Sequence, residues 1–371
     1  MSTPERIFIF TTIRKRMHYK KELAMTISRK ESNMVKGWAI LMMLMHHFWN
    51  PLLQLVSQTV VVANTPIPNV EVVISVFCKT CVSVFAFVTG WVLALNAEKY
   101  QSFQYICKKL FAFLKDYWVI AIIFLLMGWL LGCNLPTIGI FILNLLGFEV
   151  GVQEVMGYDY VNVVFAWYVR FYLLVLLSAP FMLKVISCLS RHNHWVVYAV
   201  LSCCSIILAY LCRLSDVYMV KKLFAVYFEW LPCILAGYFV CRYKMATCAE
   251  KMFSTAWVAF IGMLVLIFFR YKFPQPLGVN LDFIYAFFLV IVMLKYTPPF
   301  CCRCLQRLGE LSMLVWYFHG MFFIPLRPLQ PLLSWTGNSF LSLLIGLVCS
   351  VIMALCFKLI KDFALKWKIY H

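Results

Sequence analysis

Along most of this chain apolar residues run on for many positions without alternating with polar ones. They also show little of the one-sided striping of a soluble helix. Runs near the roughly 20 residues that a helix needs to cross the ~30 Å hydrocarbon core fall at about 35–55, 72–96, 112–132, 161–183, 194–212, 222–241, 253–270, 280–297, 311–327 and 340–360. The stretch 136–148 is also apolar, but it is short and bounded by Pro136 and Glu149, which suits a re-entrant or interfacial helix. This pattern predicts an all-α fold, a polytopic membrane bundle of about ten transmembrane helices. No repeat and no Pro/Gly/Ser-rich linker divides it. The expectation is one membrane domain over 34–362, between a basic cytoplasmic N-terminal tail at 1–33 and a basic cytoplasmic C-terminal tail at 363–371.

Composition agrees with the pattern. Of 371 residues, 64% are hydrophobic and only 13% charged, with a mean hydropathy of +0.86, whereas soluble domains carry about 25% charged residues. A net charge of +18 raises the question of nucleic acid until the charges are placed. With the N-terminus inside, 25 of the 33 Lys and Arg fall on cytoplasmic segments and only six, including Arg213, Arg270 and Arg327, on outer loops. That asymmetry is the positive-inside pattern, so the basic charge orients the chain in a bilayer and no nucleic-acid partner is expected. Both termini are then cytoplasmic, in a multi-pass protein of the cell (inner) membrane. The basic N-terminal stretch, with Ile7–Ile13 followed by Arg14-Lys15-Arg16, reads as a non-catalytic tail; it lacks the small-residue cleavage site of a signal peptide. Most of the 16 cysteines lie singly in apolar runs, and the CCRC cluster at Cys301–Cys304 lacks a second ligand pair, so no metal site is expected.

Removing the loop charges leaves His47 (with His46), Lys79, Arg170, Glu229 and His319 at membrane depth, where ionisable groups are costly and usually face a protein interior or a wet cavity. Lys36 opens the first span and His47 lies 11 residues further on. That is about 16 Å deeper, and three turns plus about 20° puts both on one helix face. His46 points about 80° away. A lone histidine here is more often a satisfied interhelical hydrogen bond than a reactive group; several basic groups at matching depth favour a shared polar cavity. A transporter of a glycan or small solute, using the same groups as a relay, is the competing reading, although no inverted repeat or paired broken helices support it.

Four motifs in order carry a resemblance. ESNMVKGWAILMMLMHHFW, with Lys36 and His47, resembles the first span of acyltransferase family 3 of integral membrane proteins, in which a basic residue, usually Arg, and a histidine are separated by ten residues. FVTGWVLAL (Phe87–Leu95) resembles the family's Phe-x-Ser-Gly-Phe element, with Thr89 and Trp91 substituted. AWYVRFYLLVLLSAPF (Ala166–Phe181), opening on Trp167, is similar to its Trp-Phe/Tyr-Leu span ending in Pro, and LGELSMLVWYFHGMFF (Leu308–Phe323) to its late element ending in His. The resemblance implies transfer of an acyl group, most often acetyl, from acyl-CoA as co-substrate to a hydroxyl of a surface glycan or lipid-linked saccharide, with no permanently bound cofactor. It makes His47 the candidate general base with His319 in support, and Lys36 and Arg170 the candidates for the donor's phosphates. Thr89, Gly90, Trp167, Lys79 and Glu229 are the remaining polar or close-approach candidates.

Overall fold

In a computed structural model the chain is described over residues 27–49, 69–147, 167–189, 191–217, 220–243, 255–273, 281–322, 329 and 331–370. Within them there is helix and no strand. Chain order gives α1 (Arg29–Trp49), α2 (Asn69–Cys78), α3 (Cys81–Leu95), α4 (Phe103–Leu130), α5 (Ile138–Leu145), α6 (Trp167–Leu189), α7 (His194–Leu214) and α8 (Ala225–Tyr243). It continues with α9 (Ala256–Lys272), α10 (Asp282–Tyr296), α11 (Pro299–Glu310), α12 (Ser312–His319), α13 (Pro331–Ser334) and α14 (Ser339–Tyr370). The starts follow local chemistry. Ser102, Thr137 and Thr255 accept backbone N–H groups at the first turns of α4, α5 and α9, and Asn193 does so for α7.

Each of the ten apolar runs contains helix, but five helical stretches among the described residues are long and apolar enough to cross a membrane: Val70–Leu95, Phe103–Leu130, Trp167–Leu189, His194–Leu214 and Ser339–Phe363. The expected count of about ten is therefore not confirmed, for identifiable reasons. α9 and α10 have only 17 and 15 residues. Within the described residues of the run at 311–327 lie the eight residues of α12 and a 3-10 turn at Gly320–Phe322. α1 and α8 carry Glu31 with Lys36 and Glu229 with Arg242, which lowers their apolarity. The short segment expected at 136–148 is α5, an eight-residue helix tied to α4 by Tyr117 and Trp118, which donate to the Asn144 and Leu145 carbonyls at 2.6 and 3.0 Å. α14 runs on to Tyr370, so 363–370 continues a helix. Residues 1–26 of the expected N-terminal tail lie outside the described residues.

Two crossings organise the interior. Where α3 meets α8, a methyl group added at Gly90 would lie 1.8 Å from the Ile234 carbonyl oxygen, and one at Gly237 would lie 1.9 Å from that of Phe87. α1 meets α11 in the same way, with Gly37 against Leu305 (2.1 Å) and Gly309 against Asn33 (1.7 Å). Backbones touch at both places, as they do in small-residue membrane helix packing. Gly90 thus serves helix packing.

Because no side chain can yield there, Gly237→Val should act as an overpacking change costing at least about 1–3 kcal/mol, read as a lower melting temperature and less monodisperse protein in detergent. Gly139→Val, at a glycine with nothing within 4 Å of an added methyl, should leave both readings near wild type.

Candidate functional site

α1 and α12 present two stripes that run side by side. On α1 the stripe leads from Lys36 to His47. On α12 it leads from Ser312 through Trp316 to His319, at the i, i+4, i+7 spacing of one helix face. The stripes end on each other. His47 Nδ1 and His319 Nε2 are 2.6 Å apart, with ring centroids 4.8 Å apart and planes inclined by 22°. Both side chains are buried, His319 completely. The structure brings these two sequence-predicted histidines together.

The hydrogen-bond order within the pair follows from its far end. His319 Nδ1 faces the Trp316 carbonyl oxygen, which can only accept. With both rings neutral, His319 therefore carries its proton on Nδ1 and its Nε2 is an acceptor. His47 must then donate from Nδ1, which makes its Nε2 the lone-pair nitrogen. His46 is engaged differently: its Nδ1 donates to the Ser75 carbonyl at 2.9 Å, tying α1 to α2. The helical phase that separates the two neighbours is thus visible in their partners.

Two adjoining cavities lie beside α12; Trp316 lines the first, whereas His47 and His319 line neither. A slot of about 210 Å³ is walled mainly by aromatic rings, those of Phe85, Phe113, Tyr168, Tyr172, Trp316 and Tyr317. A wider vestibule of about 650 Å³ carries Arg29, Lys36 and Lys358, with Glu310 the acidic group among its walls. Lys36, Ser312 and Met313 line both, so the vestibule and the slot adjoin at Lys36. Lys36 is held there by a 3.0 Å hydrogen bond from Nζ to Asn33 Oδ1. Trp316 closes the sequence: its ring walls the slot and its carbonyl holds His319.

The other candidates are distributed more widely. Arg170 is buried on α6 and lies outside both cavities, although its neighbours Tyr168, Val169 and Tyr172 line the slot. Gly147, at φ +81°, packs on its Cγ, and its Nε has no hydrogen-bond partner among the described residues. Thr89 donates to the Phe85 carbonyl at 2.9 Å and shares a side-chain hydrogen bond with Tyr168, so it supports the slot wall. Trp167 packs edge-on to Tyr168 with centroids 5.9 Å apart. Lys79 sits at the break between α2 and α3, in the field of Arg213, Glu229, Arg270 and Asp282. There Arg213 pairs with Glu229, and Arg270 with Asp282 at 3.2 Å, both members of the latter pair fully buried. Sequence reading placed Arg213 and Arg270 in outer loops and missed Asp282. The available signal was two charged residues, Arg270 and Asp282, flanking a short loop between two apolar runs. The wall residues Tyr168, Tyr172 and Trp316 were missed as site residues because aromatic rings in apolar runs carry no distinguishing spacing.

Residues 29–359, nearly the whole chain, match a family model described as an acyltransferase domain. No curated protein and no solved structure matches the chain.

If the slot is the route to the histidines, filling its mouth should stop the reaction without unfolding the protein. Ser312→Trp should lower activity at least about 100-fold, the scale on which misplaced reacting groups act. Phe300→Trp on α11, at a side chain 82% exposed, should be neutral. Activity per unit of membrane-extracted protein is the measurement, and an active Ser312→Trp protein would place the route elsewhere.

Proposed function

The chain belongs to acyltransferase family 3, and from that premise we propose a specific reaction. It is an O-acyltransferase of the cell (inner) membrane that moves an acyl group, acetyl in the simplest case, from cytoplasmic acyl-CoA to a hydroxyl of a surface glycan or its lipid-linked precursor. The observation that carries this reading is the buried His47–His319 pair, whose His319 is held by the carbonyl of Trp316, a wall residue of an apolar slot that adjoins a vestibule with three cations. A thioester arm suits an aromatic slot, and the anionic end of coenzyme A suits Arg29, Lys36 and Lys358. Arg170, away from both cavities, is a candidate for a second anionic group on the substrates, since its buried Nε has no hydrogen-bond partner among the described residues.

The proposed chemistry uses the proton order of the pair. His47 Nε2 takes the proton of the acceptor hydroxyl as its oxygen attacks the thioester carbonyl. The tetrahedral oxyanion collapses, the C–S bond breaks, and the imidazolium returns the proton to the departing thiolate, giving the ester and free coenzyme A. While His47 carries the extra proton, its Nδ1–H bond to His319 becomes charge-assisted and therefore stronger. His319 is a positioning residue in this scheme, holding the tautomer that keeps Nε2 basic.

His47→Ala should abolish acylation, since a positioned base supplies about 10²–10⁴ in rate, with normal accumulation in the membrane. His46→Ala should retain most activity. His319→Ala should fall between them, and His319→Gln, whose amide oxygen can accept from His47, should recover part of the loss. The readout is acetyl content of the surface glycan at matched protein levels; an active His47→Ala protein would overturn the mechanism.

Orientation has its own check. Reporter fusions after Lys251 and after His371 should both report cytoplasm, as the excess of Lys and Arg on those segments requires. An extracytoplasmic signal at either would refute the orientation.

A further inference from the structure

A third cavity, of about 400 Å³, lies beside the vestibule and takes no part in the reaction outlined above. Its size is within the roughly 300–1,000 Å³ usual for small-molecule sites. It is built where three segments meet: the turn after α3, the end of α6 and the end of α8. Leu95 lines both this chamber and the vestibule, so the two are neighbours across one side chain. The chamber is unlike the slot in chemistry. Lys99 and Arg242 reach it from different segments, with Glu98 the acidic group among its walls; Asn96 and Gln101 supply amides, and Tyr238 and Tyr243 supply rings. Tyr243 is held by stacking on His194, with ring centroids 3.6 Å apart.

A cation in the last turn of a helix is ordinarily explained by the helix dipole. That accounts for Arg242 on α8, but not for its convergence with Lys99, two amides and two aromatic rings on one concavity. Together they match one kind of ligand: phosphate for the cations, a flat heterocycle for the rings, and hydrogen-bonding base edges for the amides. The vestibule, by contrast, supplies cations with a single large ring, that of Trp91.

We infer that the chamber formed by Lys99, Arg242, Asn96, Gln101, Tyr238 and Tyr243 binds the adenosine 3′-phosphate end of the donor. The inference rests on acyl-CoA being that donor. The pyrophosphate then crosses Leu95 into the vestibule, where Arg29, Lys36 and Lys358 receive it, and the pantetheine arm enters the slot past Met313. Cytoplasmic donor recognition is thereby divided between two chambers, and the one that reads the nucleotide lies apart from the histidines.

The test uses the full-length protein in lipid nanodiscs with two donors, acetyl-CoA and S-acetyl-pantetheine, which lacks the nucleotide. The quantity read is the ratio of their kcat/KM values. Lys99→Gln and Arg242→Gln should each lower that ratio about tenfold, the scale of one charge-assisted hydrogen bond; an unchanged ratio in both overturns the inference. Should either variant fail to fold, the wild-type protein decides. Adenosine 3′,5′-bisphosphate should compete with acetyl-CoA and leave S-acetyl-pantetheine turnover unaffected. Competition against both donors, or against neither, would remove the nucleotide from this chamber. A wild-type protein that uses S-acetyl-pantetheine but never acetyl-CoA would instead sink the donor reading itself.

Discussion

The contact on which the site depends is the meeting of two backbones where α1 crosses α11. Gly37 lies against the Leu305 carbonyl and Gly309 against that of Asn33. Each glycine sits next to functional ground: Gly37 follows Lys36, and Gly309 is three residues before Ser312. With no side chain between the helices there is no rotamer to absorb a shift, so the crossing fixes how far along α1 the chain of α12 begins. That distance decides whether His319 arrives opposite His47. A helix pair held by long side chains would leave a tolerance of an ångström or more, which is enough to lose a hydrogen bond.

Much of the site could be read in the sequence because it obeys helical periodicity. The phase between Lys36 and His47 needs nothing but α1 to be regular, and it is. His319 stands out as an imidazole in an apolar run. What periodicity cannot supply is the identity of partners. Glu229 was visible as an intramembrane charge, but Arg213 as its counter-ion was not, because the pairing depends on α7 lying beside α8. The same holds for Asp116 and Lys361, whose 2.7 Å contacts join α4 to the far end of α14. The break at Leu311 was also hidden. Leu308–Phe323 shows no Gly or Pro at the break, where Leu311 separates the amphipathic α11 from the mostly apolar α12.

The buried pair Arg270–Asp282 illustrates a different constraint. Two charges removed from water are costly to bury and strongly destabilising if one is lost. Their value lies in geometry: they join the end of α9 to the start of α10 across a short connection, and they set the field felt by Lys79 at the α2–α3 break. Two short helices that lack the length for independent insertion are thus pinned by charge to each other.

The far end of the histidine pair has a consequence for the membrane itself. A row of buried imidazoles resembles part of a proton wire, and a wire across an energised bilayer would dissipate the gradient. Here the row runs from His47 to His319 and then to the Trp316 carbonyl, an oxygen with no proton to pass on. Hopping requires each member to give as well as receive, so conduction in that direction stops at a peptide bond. The same carbonyl that sets the tautomer thus cannot relay a proton onward from His319 Nδ1.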